Sequence, residues 1–136
     1  MALYGTGMPI TWTISAADRL VNARAEGIVT LQDVEALLDD LVVNNALPFR
    51  KLFDGRGSIG QYDDKDVMAI AARISAYNSS LDLTGAAAIV VETQAHYDTA
   101  LRFANIGQAK RPIRVFFTPE EARAWLDTDP KHVDGV

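Results

Sequence analysis

The sequence lacks cysteine altogether and has only two histidines among its 136 residues. Without cysteine there is no disulfide framework, no thiolate metal site and no cysteine nucleophile, which is typical of a protein from a reducing compartment. The histidines, His96 and His132, do not form a spacing that is typical of a zinc site. We therefore expect neither a metal nor an organic cofactor.

Excess positive charge and long hydrophobic runs are lacking as well. The net charge of -5 argues against the phosphate-neutralising surface that nucleic-acid binding requires. No apolar run reaches the roughly 20 residues of a membrane span, and residues 1–9 lack the features of a signal peptide. We expect a cytoplasmic protein with no nucleic-acid partner and no integral membrane segment.

What the sequence does contain is the composition and periodicity of a single α/β domain. With 49% hydrophobic residues, the chain can bury a substantial core as one domain over residues 1–136, with an N-terminal extension at 1–9 and a C-terminal tail at 128–136. Alternating or continuous apolar segments predict five strands, at Ile10–Ser15, Leu20–Ala25, Phe49–Asp54, Gly85–Val91 and Ile113–Phe117. Helical spacing and N-capping residues predict four helices that begin near Thr30, Asp63, Gln94 and Thr118.

The order of these elements is β-β-α-β-α-β-α-β-α. Because the first two strands are joined by a short turn, they should pair antiparallel, and the later alternation of helix and strand favours parallel pairing. The prediction is a mixed, mostly parallel five-stranded sheet with four helices.

A glycine-rich loop follows the third predicted strand. Gly55, Gly57 and Gly60 have the spacing of a dinucleotide-binding loop. However, residues 61–66 separate the last glycine from the helix and place carboxylates where a pyrophosphate would lie. A tight structural turn is the favoured interpretation, and Asp63, Asp64 and Asp66 are interpreted as helix-capping residues, not metal ligands.

The sequence predicts no catalytic residue. Asp54 could act as an acid or base, but no partner that would orient it is evident. No serine lies in a nucleophile elbow. An enzyme of unknown reaction remains a third alternative, which requires Asp54, Ser58 and His96 to form a hydrogen-bonded chain in space.

Several short segments between residues 10 and 126 carry a resemblance to a known family. They are Arg19-Leu20-Val21 with Arg24, Gly27 and Val29-Thr30; Phe53-Asp54-Gly55-Arg56-Gly57; and Val115-Phe116 with Glu120-Glu121-Ala122 and Ala124-Trp125-Leu126. Together they resemble the STAS superfamily of small bacterial proteins related to anti-sigma-factor antagonists, which are also compared with CRAL-TRIO lipid-transfer domains.

The resemblance implies a non-enzymatic domain, a homodimer, and binding of either a regulatory protein or an apolar ligand. The antagonists carry an Asp-Ser pair at the start of the helix after the third strand, where the serine is phosphorylated. In this sequence the corresponding segment reads Tyr62-Asp63-Asp64-Lys65, without a serine. Ser58 lies nearby in the loop, so whether it is phosphorylated stays open and the role is not transferred to it.

Two functions remain as hypotheses. The first is binding of a small apolar or amphipathic, lipid-like ligand, in an apolar pocket formed by Phe53, Ile59, Met68, Tyr97 and Phe103; it requires a cavity of about 300 Å³ or more. The alternative is a regulatory protein-protein interaction domain, which would expose an apolar patch beside the glycine loop. The predicted ligand- or partner-binding loop comprises Asp54, Gly55, Arg56, Gly57, Ser58, Gly60 and Tyr62.

Overall fold

The computed structural model describes residues 2–5, 9–61, 63–81, 85–107 and 112–128. In these ranges the strands are β1 Ala2–Gly5, β2 Ile10–Ser15, β3 Leu20–Ala25, β4 Gly27–Thr30, β5 Arg50–Asp54, β6 Ser58–Gln61, β7 Ala87–Val90 and β8 Ile113–Phe116. The helices are α1 Leu31–Val43, α2 Asp64–Leu81, α3 Gln94–Gly107 and α4 Pro119–Asp127.

The main sheet has the strand order β1-β2-β3-β5-β7-β8. Its β1–β2 and β2–β3 pairs are antiparallel, and its β3–β5, β5–β7 and β7–β8 pairs are parallel. The five predicted strands are therefore confirmed as neighbours in a mixed, mostly parallel sheet, and the four helices are confirmed with them.

Three further strands were not predicted. β1 extends the sheet from within the segment interpreted as an N-terminal extension, while β4 and β6 pair with each other in a second, two-stranded sheet. Each of the three has only four residues. A segment of that length shows too little alternation to be recognised. For β4 and β6 the pairing also depends on a strand distant in the sequence, whereas β1 pairs with the adjacent β2.

Local capping interactions fix the helix starts that the sequence predicts. At α1, the Thr30 side chain accepts from the amide of Asp33, and the Asp33 carboxylate accepts from the amide of Thr30 at 2.8 Å. At α2, Asp63 and Asp66 make the same reciprocal pair, at 3.0 and 3.1 Å. At α4, Thr118 accepts from the amide of Glu121 at 3.2 Å. The capping roles predicted for Asp63 and Asp66 are confirmed.

Helices cover both faces of the main sheet. On one face, α1 packs over β2 and β3 through Leu37 and Leu41, and α2 lies beside α1, where Arg73 pairs with Glu35 and Asp39. On the opposite face, α4 packs mainly on β5, β7 and β8. Its Ala122 and Leu126 are both 0% exposed.

Alternation along β3 separates the two cores, because Val21 faces the α1 side and Leu20 the α4 side. The third helix is only partly covered. Its Leu101 is 39% exposed. The reason is that α3 packs chiefly on β8 at the end of the sheet, so that only a narrow stripe of the helix is covered.

Candidate binding groove and the turn beside it

The parallel strands β3 and β5 both continue beyond the edge of the main sheet. β3 leads into β4 at Gly27, and β5 leads into β6 after Gly57. Both glycines have positive φ, +74° and +80°, and the Gly27 amide donates to the Gly57 carbonyl at 3.0 Å. Glycine adopts this conformation without a side-chain clash. The two strands therefore turn together and continue as the parallel β4–β6 pair, here called the ribbon.

Asp54 organises the turn between β5 and β6. Its carboxylate accepts from the Arg56 amide at 3.1 Å, from Nε at 3.0 Å and from Nη2 at 2.8 Å. The Ser58 hydroxyl donates to the Gly55 carbonyl at 2.6 Å, and the Gly57 amide donates to Glu92 at 3.2 Å. This hydrogen bonding supports the interpretation of the glycine loop as a tight turn.

The electrostatics of this turn favour the ionised carboxylate. The hydrogen bond from the Arg56 side chain is the largest influence, and it lowers the pKa of Asp54 below its usual value despite the opposing effect of burial. A general acid at neutral pH needs the opposite shift. Asp54 is therefore suited to holding Arg56 and the turn, and poorly suited to donating a proton.

The other members of the hypothetical catalytic chain show no hydrogen-bond contact with Asp54 within the described ranges. The Ser58 hydroxyl is bound to a backbone carbonyl, and His96 lies in the first turn of α3, with its amide donating to Thr93 Oγ1 at 3.1 Å. No hydrogen bond links Asp54, Ser58 and His96 within the described ranges. The same ranges contain no cluster of three or more histidine, aspartate or glutamate side chains that could hold a metal ion.

A groove of about 1070 Å³ lies on the α4 side of the sheet. Its floor is the outer face of β2 and β3, which α4 leaves open because that helix packs mainly on β5, β7 and β8. One wall is α4 itself. The lining residues are Thr11, Trp12, Thr13, Asn22, Ala23, Arg24, Leu52, Asp54, Pro119, Glu120, Arg123, Ala124 and Asp127.

Strand register orders the floor of the groove into two rows. Thr11 lies opposite Arg24, which in turn lies opposite Asp54. In the next row Thr13 lies opposite Asn22, and Asn22 opposite Leu52. Hydroxyl and amide groups therefore lie on the β2–β3 part of the floor, and an apolar side chain lies where the floor meets α4.

Most charged groups of the groove are already paired. The Arg24 guanidinium lies 2.9 Å from Glu26, and that of Arg123 lies 3.1 Å from Asp127. Asp127 also accepts from Arg50, and these guanidinium groups lower its pKa. With Asp54 bound to Arg56, four of the five charged side chains that line the groove are paired, and Glu120 is the one without an ion pair within the described ranges.

The residues that the sequence predicted for an apolar pocket do not line this groove. Phe53 is partly buried against the α1-side core, whereas Ile59 and Met68 are 61% and 58% exposed. Tyr97 stacks on Phe117 with ring centroids 5.1 Å apart. The Phe103 side chain lies outside the described part of the chain. The groove is therefore a different site from the apolar pocket of the hypothesis.

The predicted binding loop is divided between the turn and the ribbon. Asp54 lines the groove, and Gly55, Arg56 and Gly57 form the turn. Ser58 and Gly60 belong to β6, and Tyr62 lies outside the described residues. Of this loop, only Asp54 lines the groove.

Sequence reasoning did not identify the floor residues Thr11, Thr13, Asn22 and Arg24. A signal was present, because they occupy the polar positions of two alternating strands. Polar positions on a strand ordinarily face solvent, and the sequence alone does not show that a helix flanks this face on one side only.

A solved structure of an uncharacterized protein of the DUF3478 family from Shewanella loihica PV-4, described as having a SpoIIAA-like fold, superposes on this chain with a TM-score of 0.61. The alignment covers 91% of this chain and 95% of that chain at 18% sequence identity. The mixed sheet with helices on both faces is therefore a SpoIIAA-like fold, similar to that of the anti-sigma-factor antagonists. The fold expected from the STAS resemblance is thereby confirmed.

Other comparisons gave no match. No family model matches the sequence, and no curated protein matches it. Within the described ranges, none of the helices combines the length and the apolar character that crossing a bilayer requires.

Proposed function

We propose that this chain is a non-catalytic binding domain that takes a small amphipathic molecule with an uncharged polar head in the groove between α4 and the β2–β3 face. The observation that carries the proposal is the groove itself, in which the apolar residues Leu52, Pro119 and Ala124 lie beside a hydrogen-bonding floor. Its volume of about 1070 Å³ slightly exceeds the roughly 300–1,000 Å³ typical of small-molecule pockets.

The apolar part of the ligand would lie along α4. Pro119 and Ala124 of that helix and Leu52 of β5 present carbon surface to the groove. Removing apolar ligand surface from water contributes roughly 25 cal/mol per Å² before the costs of association. This term favours a short hydrocarbon chain on the α4 wall.

The polar head would lie over β2 and β3. Thr11, Thr13 and Asn22 are exposed there, and the structure shows no hydrogen bond to any of their side chains within the described ranges. A charged head would have to compete with existing pairs such as Arg24–Glu26 and Arg123–Asp127. A neutral head with hydroxyl or amide groups can bind without breaking them.

The non-catalytic part of the proposal is supported by the state of Asp54. Its carboxylate is engaged by three hydrogen bonds from Arg56, and its pKa is lowered. Among the described residues lining the groove, we find no nucleophile hydrogen-bonded to a base that could activate it.

The first experiment is native mass spectrometry of the protein purified from cells, followed by denaturing extraction of bound molecules. Calorimetric titration then uses three probes of equal chain length below their micelle concentrations: monodecanoylglycerol, decanoate and decyltrimethylammonium. We expect the uncharged glycerol ester to bind most tightly. Preference for a charged probe would overturn the assignment of the head group, and absence of binding by all three would overturn the groove as an amphipathic site.

Two matched variants test whether the ligand binds in the groove. Ala124→Phe fills the α4 wall of the groove, while Ala95→Phe makes the same change at an exposed position of α3. We expect Ala124→Phe to weaken binding of monodecanoylglycerol by about tenfold or more, and Ala95→Phe to leave it unchanged. Equal affinity in both variants would show that the probe binds elsewhere.

A further inference from the structure

The ribbon forms a second surface that is independent of the groove. Ile28 of β4 lies directly opposite Ile59 of β6, and their side chains are 56% and 61% exposed. Val29, the next residue of β4, is only 4% exposed because it packs into the α1-side core. One face of the ribbon is therefore anchored, while the other presents two adjacent isoleucines to solvent.

The ribbon also has strand edges without the usual protection. Within the described part of the chain, β4 and β6 pair only with each other. Neither the segment Gly-Ile-Val-Thr nor the segment Ser-Ile-Gly-Gln contains a charged residue or a proline, the residues with which proteins commonly block an exposed edge. Because two strands alone have marginal stability, a third strand would stabilise the ribbon.

Carboxylates flank the ribbon on several sides. They belong to Glu26 before β4, to Asp63 and Asp66 after β6, and to Glu92, which accepts from the Gly57 amide. Of these carboxylates, Glu26 is already paired with Arg24. The guanidinium groups of Arg56 and Arg102 pair with Asp54 and Asp64 instead, which leaves Asp63, Asp66 and Glu92 without an ion pair in the described part of the chain. The surroundings of the isoleucine pair therefore favour a cationic partner.

A second copy of the chain fits this surface poorly. Symmetric contact between two ribbons would bring the same carboxylates together, which is unfavourable at close range. Two isoleucines are also far fewer than the roughly 20–30 residues that each side contributes to a stable interface of standard size. The ribbon matches a short linear segment better than a folded copy of itself.

We propose that the ribbon binds an extended segment of a partner protein, which adds to it as a third strand and carries apolar side chains at alternate positions with basic side chains between them. In such strand addition, backbone hydrogen bonds supply much of the affinity, and side chains of one face supply the specificity. Here the apolar side chains of the segment continue the row formed by Ile28 and Ile59 on the exposed face, and the flanking carboxylates attract its basic ones.

The test uses a short labelled peptide of alternating valine and lysine, with binding measured by fluorescence anisotropy against the full chain. Two control peptides replace every lysine by glutamate or place a proline at the centre, which removes a backbone donor. We expect only the lysine peptide to bind, with an affinity that falls as salt is added. Binding of the proline peptide with equal affinity would overturn strand addition, and no binding of the lysine peptide at millimolar concentration would overturn the proposal.

Two variants test whether the lysine peptide binds at the ribbon. Ile59→Asp should reduce the affinity for the lysine peptide by about tenfold or more, whereas Val43→Asp, at a 78% exposed position that ends α1, should not. Circular dichroism checks that both variants are folded. Equal binding by Ile59→Asp would overturn the proposal. Sedimentation supplies a further test, because a wild-type dimer that Ile59→Asp dissociates would assign the ribbon to a second copy and overturn the partner segment.

Discussion

At the level of single residues, Asp54 connects the groove, the turn and the start of the ribbon. Its ion pair with Arg56 lowers the pKa of the carboxyl from its usual 3.8, so the folded state favours the ionised form. The stabilisation from this shift is present above the unfolded-state pKa and is lost as the pH falls through the lowered folded-state pKa.

Asp54→Asn should therefore destabilise the protein at pH 7, and the deficit should shrink as the pH falls from about 4 toward about 2. The amide can still accept from the Arg56 backbone, so the change removes mainly the ion pair, which at this partly exposed position contributes at most about 1 kcal/mol. Urea unfolding of wild type and variant at both pH values measures the difference. A deficit that persists undiminished at low pH would contradict the ion-pair explanation.

Gly85 illustrates a constraint that the sequence does not show. A Cβ atom there would clash with the carbonyl oxygens of Pro48 and Phe49, and would lie 2.5 Å from the former. We expect Gly85→Ala to lower the free energy of unfolding by at least about 2 kcal/mol. Gly27→Ala is the control, because it has positive φ but no atom within 4 Å of the added Cβ, so it should cost only about 1 kcal/mol of backbone strain. Thermal unfolding of both variants tests this ranking.

At the level of elements, α4 has two roles, since it covers one core and forms a wall of the groove. The Leu126 side chain packs α4 against this core and is 0% exposed, whereas that of Leu101 in α3 is 39% exposed. Leu126→Ala should cost about 2–5 kcal/mol of stability, and Leu101→Ala should cost clearly less. Urea unfolding compares the two, and equal costs would contradict the burial of α4.

Some elements can be predicted from residues close together in the sequence, and others cannot. The start of α1 was predictable because Thr30 and Asp33 cap the helix three residues apart. The ribbon was not predictable, because Ile28 pairs with Ile59 across a separation of the whole of α1 and β5. Gly57 was correctly interpreted as part of a tight turn, but the sequence does not show that Gly27 and Gly57 bend two paired strands together.

At the level of the whole molecule, alternation along the strands was sufficient to predict an α/β domain with a mixed sheet. The groove was not predictable, since it arises from where α4 lies on the sheet and not from any sequence pattern. A continuous strand such as β7, with Ala88 and Val90 both 0% exposed, indicates burial without identifying the covering helix. The predicted apolar pocket failed to anticipate the groove for the same reason.

The two cores pack on opposite faces of one sheet, so we expect them to unfold together. β3 contributes Val21 to the α1-side core and Leu20 to the α4-side core, so neither core can be lost while that strand stays fully packed. The two tryptophans lie on opposite faces: Trp12 in the α1-side core with its Nε1 donating to Asp40, and Trp125 beside Phe116. Each can therefore report on one core.

We expect urea unfolding followed by Trp12 fluorescence in a Trp125→Phe variant to coincide with loss of helix measured by circular dichroism in the same variant. The same agreement should hold for Trp125 fluorescence in a Trp12→Phe variant, although that variant will be less stable because it loses the hydrogen bond to Asp40. Comparing two probes within each variant removes this difference in stability. If Trp125 fluorescence changed at a lower urea concentration than the circular dichroism signal, α4 would detach before the sheet unfolds, and the groove would have a wall that moves independently of its floor.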